Sequence, residues 1–150
     1  MPNLYPGDSI EDDLNRIATV NGLVDADLLR AFMEQLGGCE DALWQLVKHR
    51  AERTYPAPTF NSKLIECLLA DGYNIGRIRP MPALAKYRIL YAYDNEYDDI
   101  YTLAVVEKVP HDESEPDLAR YYDYERNHPI SVRAVGEYDA IGVPRVSATR

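Results

Sequence analysis

The chain is poor in several residues whose abundance would direct its reading. Among 150 residues there are two cysteines, one tryptophan and two phenylalanines. Cys39 and Cys67 cannot make a disulfide-rich scaffold, and no CxxC or Cys/His cluster suggests zinc. Both fall in apolar helical surroundings and read as core thiols. No apolar run approaches the roughly 18 residues that a transmembrane helix needs. Residues 1–6 lack a basic start and an apolar stretch, so no signal peptide is expected and the cytoplasm is the expected compartment. No GxSxG, HExxH, P-loop or GxGxxG signature occurs. His49, His111 and His128 have no metal-ligand spacing and read as surface residues. The acidic runs Asp94–Asp99 and Asp112–Asp117 lack the pattern of a calcium loop and read as solvated charge. Neither a metal nor a cofactor is therefore expected.

Positive charge is also scarce: 16 Lys and Arg face 25 Asp and Glu, a net charge of −9. Such a chain repels nucleic acid at long range, so any phosphate binding must come from a local cluster. The distribution is uneven. Residues 1–42 hold nine acids and two bases, residues 43–90 eight bases and three acids, and residues 91–150 thirteen acids and six bases. The middle segment can make a local anion site, or its bases can sit on solvated faces and pair with the acidic flanks.

Hydrophobic residues make up 46% of the chain, enough for a sizeable core. Asp8-Ser9 before Ile10, Leu14 and Ile17 predicts a capped amphipathic helix ending at Asn21-Gly22. Leu28, Leu29, Phe32, Met33 and Leu36 predict a second, stopped by Gly37-Gly38. A third is expected from about Glu40 to Arg53, broken by the prolines at 56 and 58. A fourth is expected from Asn61 or Ser62 through Leu64, Ile65, Leu68 and Leu69 to Gly72. The period then changes to two. Ile75 to Arg79 reads as a short strand stopped by Pro80. Lys86 to Tyr93 reads as a stronger one, with Tyr87, Ile89, Tyr91 and Tyr93 on one face and Arg88, Leu90 and Ala92 on the other. Ile100 to Glu107 follows a short polar connection and predicts an antiparallel hairpin. A helix from Pro116 to about Arg126, a closing strand from Ile130 to Val135 and a loose end from Arg145 complete the outline. Helices first and then an antiparallel sheet make an α+β fold.

The candidate chemistry lies in the strand region. Arg77 and Arg79 are two apart and share a strand face. Lys86 and Arg88 lie on the next strand, and Lys108 ends the one after. If these strands are neighbours, several cations converge on one side of the sheet. Such a cluster needs an anionic ligand or carboxylate partners, because like charges repel. Guanidinium groups bind phosphate bidentately and stabilise charge that develops on it. Nearby tyrosines can stack on bases or act as half-buried strand residues.

From Gly76 to Arg126 the order of motifs resembles the RelE/HigB-like toxins of bacterial toxin–antitoxin systems. The likeness is carried by Arg77-Ile78-Arg79-Pro80, by Tyr87-Arg88-Ile89-Leu90-Tyr91-Ala92-Tyr93, and by Ile100 through Lys108. The likeness extends to roughly residues 40–126 if the helices from Glu40 to Asp71 stand for the family's helical hairpin. It implies a small antiparallel sheet flanked by helices in residues 57–150, with residues 1–56 as an N-terminal helical extension. It also implies a metal-independent, ribosome-dependent messenger RNA endoribonuclease, with a cognate antitoxin as partner and no membrane association. Homo-oligomerisation is left open. Carried over by position, Arg88, Lys108 and Tyr121 (or Tyr122) are catalytic candidates, and Arg77, Arg79 and Lys86 are phosphate-binding candidates. Tyr91 and Tyr93 are base-stacking candidates. The alternative is a non-catalytic interaction module on the same fold, gyrase-directed or partner-binding.

Overall fold

The strongest alternating stretches form the centre of a sheet. β5 (Tyr87–Asp94) and β6 (Asp99–Lys108) make the antiparallel hairpin, and β4 (Ile75–Pro80) lies antiparallel along the other side of β5. This computed structural model describes residues 2–48, 52–110, 114 and 117–146. The sheet continues outward through β3 (Thr59–Leu64) to β2 (Arg53–Pro56), both antiparallel. On the free edge of β6, β1 (Asn3–Pro6) pairs in parallel with Asp99–Thr102, and β7 (Tyr121–Tyr122) pairs in parallel with Glu107–Lys108. The result is one sheet in the order β1-β6-β5-β4-β3-β2, with β7 beside β6.

Helices α1 (Ile10–Asn21), α2 (Leu23–Gly37) and α3 (Glu40–Lys48) lie between β1 and β2 in the chain. They cover one sheet face, where Leu14, Leu29, Leu36 and Leu43 pack on Phe60, Ile78, Ile89 and Tyr91. Gly76 sits across from Tyr91 on this face, and a Cβ there would fall 2.5 Å from the Tyr91 ring. The missing side chain is what lets the ring cross the neighbouring strand. The other face is covered by α4 (Glu66–Ala70), by the segment around β7, and by α5 (Pro129–Ile141), packed on Leu90, Ala92, Leu103 and Val106. Between Leu90/Tyr91 the β5–β6 register slips, so Leu103 is the extra residue of a bulge. Leu103 and Ala104 consequently both face the second core.

On this edge, the stretch of β6 between β1 and β7 has no strand partner among the described residues. Asp13 takes its place: its carboxylate accepts from Val105 N–H at 2.9 Å and from Arg133 at 2.9 and 2.7 Å. Arg16 donates to Asp13 and to the Val105 carbonyl, and Arg133 to the Leu103 carbonyl. This buried ionic clasp joins α1 on one face to α5 on the other.

Five expectations are corrected. The fourth helix is instead strand β3 followed by the five-residue α4, because Phe60 and Ser62 face one side of the sheet and Asn61 and Lys63 the other. The third helix ends at Lys48 in the described residues, and Arg53 onward is strand. Residues 117–126 form a turn held by the Asp117 carbonyl and then β7, with no helix. Ile130 to Val135 lies in α5, whose N-cap His128 accepts from Ile130 N–H at 2.9 Å ahead of Pro129. Arg145 is tied down as well: it pairs with Asp139 and lies 3.9 Å from the centre of the Tyr73 ring. The boundary expected at residue 56 falls in the β2–β3 hairpin, within the single sheet. No helix among the described residues is long and apolar enough to cross a membrane.

Candidate anion-binding cleft

The second sheet face divides into two zones. Under α5 it is apolar. Towards β3 the residues on this face become Lys63, Arg77, Arg79 and Arg88, and Lys108 follows at the end of β6. The ladder explains this: Lys63 lies opposite Arg77, Asn61 opposite Arg79, and Arg88 opposite Val106. These five cations line one cleft of about 580 Å³ together with Tyr124, and with the carboxylates Glu52, Glu66 and Glu125. Cys67 lines it too, half-buried, its thiol donating to the Tyr124 carbonyl.

Arg77 and Arg88 are buried, at 6% and 5% exposure. Arg77 donates to the Asn61 carbonyl and side-chain oxygens, and to Glu52 at 3.0 Å. Arg88 donates to the carbonyls of Ala85 and Tyr87 at 2.6 and 2.8 Å. Among the described residues, no carboxylate lies within ion-pair distance of Arg79, Arg88, Lys63 or Lys108. The Nε groups of Arg79 and Arg88 are buried and find no acceptor among the described residues. A buried donor left unmatched is costly, and an oxygen-rich ligand would satisfy it.

The electrostatics reflect this crowding. Burial pulls the Arg88 guanidinium below its ordinary value; Tyr124 beside it opposes that fall, and Arg77 and Arg79 add like charge. Burial holds the Tyr124 phenol above its ordinary value, while Arg88, Arg77 and Arg79 oppose that rise. Tyr124 therefore keeps its proton at neutral pH and can donate it. Its backbone is held at φ 64°, a left-handed conformation unusual for a tyrosine.

No family model, no curated protein and no solved structure matches the chain. What the cleft does must accordingly be argued from its own residues.

Of the candidates from sequence, Arg77, Arg79, Arg88 and Lys108 meet in this cleft, and the others do not. Lys86 points to the α2 side, 3.5 Å from Asp25 and over the Tyr87 ring. Tyr91 is 1% exposed on the first face, its hydroxyl donating to the Leu46 carbonyl, so it has no surface for a base. Tyr93 is half-buried on that face and donates to Asp98. Tyr121 sits under the Arg120 guanidinium, and its carbonyl meets His128 Nε2 at 2.8 Å, outside the cleft. Tyr122 is fully buried against Ser131. His128, expected at the surface, is 2% exposed and caps α5. His49 and His111 lie outside the described residues. The cleft residues missed from sequence are Lys63, Tyr124 and the carboxylates Glu52, Glu66 and Glu125. Lys63 becomes visible once Thr59–Leu64 is read at period two, whereas nothing local marks Tyr124. Among the described residues no three His, Cys, Asp or Glu side chains converge to hold a metal ion.

Proposed function

We propose that the cleft binds an RNA phosphodiester and that the protein is a toxin of the RelE/HigB kind, cleaving messenger RNA on the ribosome. The observation that carries this reading is the convergence of Arg77, Arg79, Arg88 and Lys108, drawn from three strands, on one cleft with two buried guanidinium Nε groups that find no acceptor among the described residues. In the proposed reaction the RNA's own 2′-hydroxyl attacks the adjacent phosphorus. A carboxylate of the cleft, Glu66 or Glu125, takes its proton. Arg79 and Arg88 stabilise the charge that builds on the phosphoryl oxygens. The bond to the 5′-oxygen breaks as Tyr124 donates its proton there. The products are a cyclic phosphate and a free 5′-hydroxyl. Cytoplasmic location and a neutralising antitoxin belong to the same proposal.

Induced expression tests it: growth arrests and translated transcripts acquire new 5′ ends. Arg88→Lys keeps the charge but loses the planar fork, and abolishes both effects while thermal unfolding is retained. Tyr124→Phe slows cleavage by roughly 10²–10⁴-fold, the usual contribution of a positioned proton donor. Unchanged growth and intact transcripts would overturn the assignment.

A second reading, a non-catalytic module that binds a protein, is favoured by one observation. Leu23, Val24 and Leu28 of α2 are 65%, 71% and 44% exposed, an apolar row on the face turned away from the sheet. Arrest that survives Arg88→Lys without transcript cleavage would support it.

A further inference from the structure

We infer that the cleft has two anion positions, that the protein's own Glu52 carboxylate fills one of them, and that the ligand is a single-stranded RNA segment whose flanking phosphate displaces Glu52. The inference rests on the phosphodiester-binding reading above and goes beyond it in naming a second subsite and its internal occupant.

The first position is at Arg77. One of its guanidinium nitrogens is anchored on Asn61, and the other meets Glu52 at 3.0 Å. Lys63 lies directly across the ladder from Arg77, and Arg79 is two residues further along the same face. The Glu52 carboxylate therefore stands at the mouth of the cleft among three cations. Arg77 first, then Lys63 and Arg79, hold it below the usual carboxylate range. A carboxylate oxygen and a phosphate oxygen both accept from the guanidinium nitrogen that Asn61 leaves free, so one can replace the other. Glu52 is 55% exposed, whereas Arg77 is only 7% exposed in its side chain. The anion is thus free to swing outward while Asn61 keeps the cation in place.

The second position lies between Arg79 and Arg88, whose Nε groups find no acceptor among the described residues, in the cleft that Tyr124 also lines. Two residues along a strand advance about 6.6 Å. Arg77 and Arg79 are therefore spaced much as successive phosphates are along an extended RNA strand. A mononucleotide phosphate would fill the deep position alone. A longer strand places its next phosphate where Glu52 sits.

The experiment compares wild type with Glu52→Gln. The probes are two dinucleotides blocked against cleavage by a 2′-deoxy sugar, one with and one without a 5′-phosphate. Affinities come from calorimetry on the full chain. Wild type, which must exchange one anion for another at Arg77, binds the two probes within about twofold. Glu52→Gln binds the phosphorylated probe roughly tenfold more tightly than the other, the gain of one charge-assisted contact. The slope of log affinity against log salt also steepens for that probe by about 0.7. Glu52→Ala repeats the comparison if the amide disturbs β2. A variant that binds both probes as wild type does would overturn the Arg77 position while leaving the deep one standing. Failure of either protein to bind either probe would instead overturn the phosphodiester reading, and this inference with it.

Discussion

Asp13 is the residue on which the two faces of the sheet depend most. Its carboxylate is 1% exposed and meets Val105 N–H and two guanidinium groups. Asp13→Asn keeps the shape but leaves Arg16 and Arg133 facing each other with no anion between them. Only the acid is fully buried, and the two guanidinium groups left behind are partly solvated, so the cost is about 2–3 kcal/mol, below that of a fully buried pair. Urea unfolding should show that loss as a lower midpoint at constant slope. Tyr122 sets a second residue-level dependence. Its ring is fully buried, and burial pushes its phenol up to about 12. An unfolded tyrosine ionises near pH 10. Between pH 10 and 12 the unfolded chain releases the proton and the folded chain keeps it, so stability is intact below about pH 10 and falls as pH rises through this window. The loss approaches about 2 kcal/mol. Tyr122→Phe is less stable at pH 8 by about 1 kcal/mol, for want of the Ser131 hydrogen bond, and its urea midpoint falls less steeply with alkali.

At the scale of elements, legibility followed the length of the period. α1, α2 and the three strands β4 to β6 repeat their pattern for long enough to be read, and the basic face of β4 and β5 came with them. β3 and α4 defeated the reading because a six-residue strand runs into a five-residue helix, and Leu64, Ile65, Leu68 and Leu69 from the two together mimic a longer helix. β1 and β7 are short edge strands whose pairing with β6 is decided by distant sequence. Tyr124 reaches the cleft through a left-handed backbone, which no pattern announces. α5 was misread because Ile130 to Val135 is β-branched and Gly136 looks like a stop. The helix passes through Gly136, and Ala134 and Tyr138, four apart, face the core. This assignment has a direct test. Gly136 is exposed, has no positive φ, and a Cβ there would meet nothing within 4 Å. Gly136→Ala should stabilise the protein by roughly 0.5–1 kcal/mol, the ordinary difference between these residues inside a helix. A destabilised variant would contradict a helix at this position.

For the whole molecule, the question is how an acidic chain keeps a basic cleft and whether its first third is an appendage. Residues 1–42 carry nine acids against two bases, and their helices lie on the sheet face opposite the cleft. Within the cleft itself five cations face the three carboxylates Glu52, Glu66 and Glu125, so the local field is positive although the total is negative. The same helices hold the sheet together. Without residues 1–56, Phe60, Ile78, Ile89, Tyr91 and Val105 lose the layer that buries them, and the sheet loses β1 at one edge and β2 at the other. Arg133 also loses Asp13. A sheet with one bare apolar face has no stable packing partner. The intact chain should therefore unfold in urea as one cooperative step, with circular dichroism and tyrosine fluorescence giving coincident curves. The fragment 57–150 should give no cooperative transition, and it should bind a hydrophobic dye through the uncovered face. A fragment that melts cooperatively and retains a dispersed amide spectrum would show the opposite: that α1 to α3 are an added arm on a self-sufficient domain, and that the cleft can be studied without them.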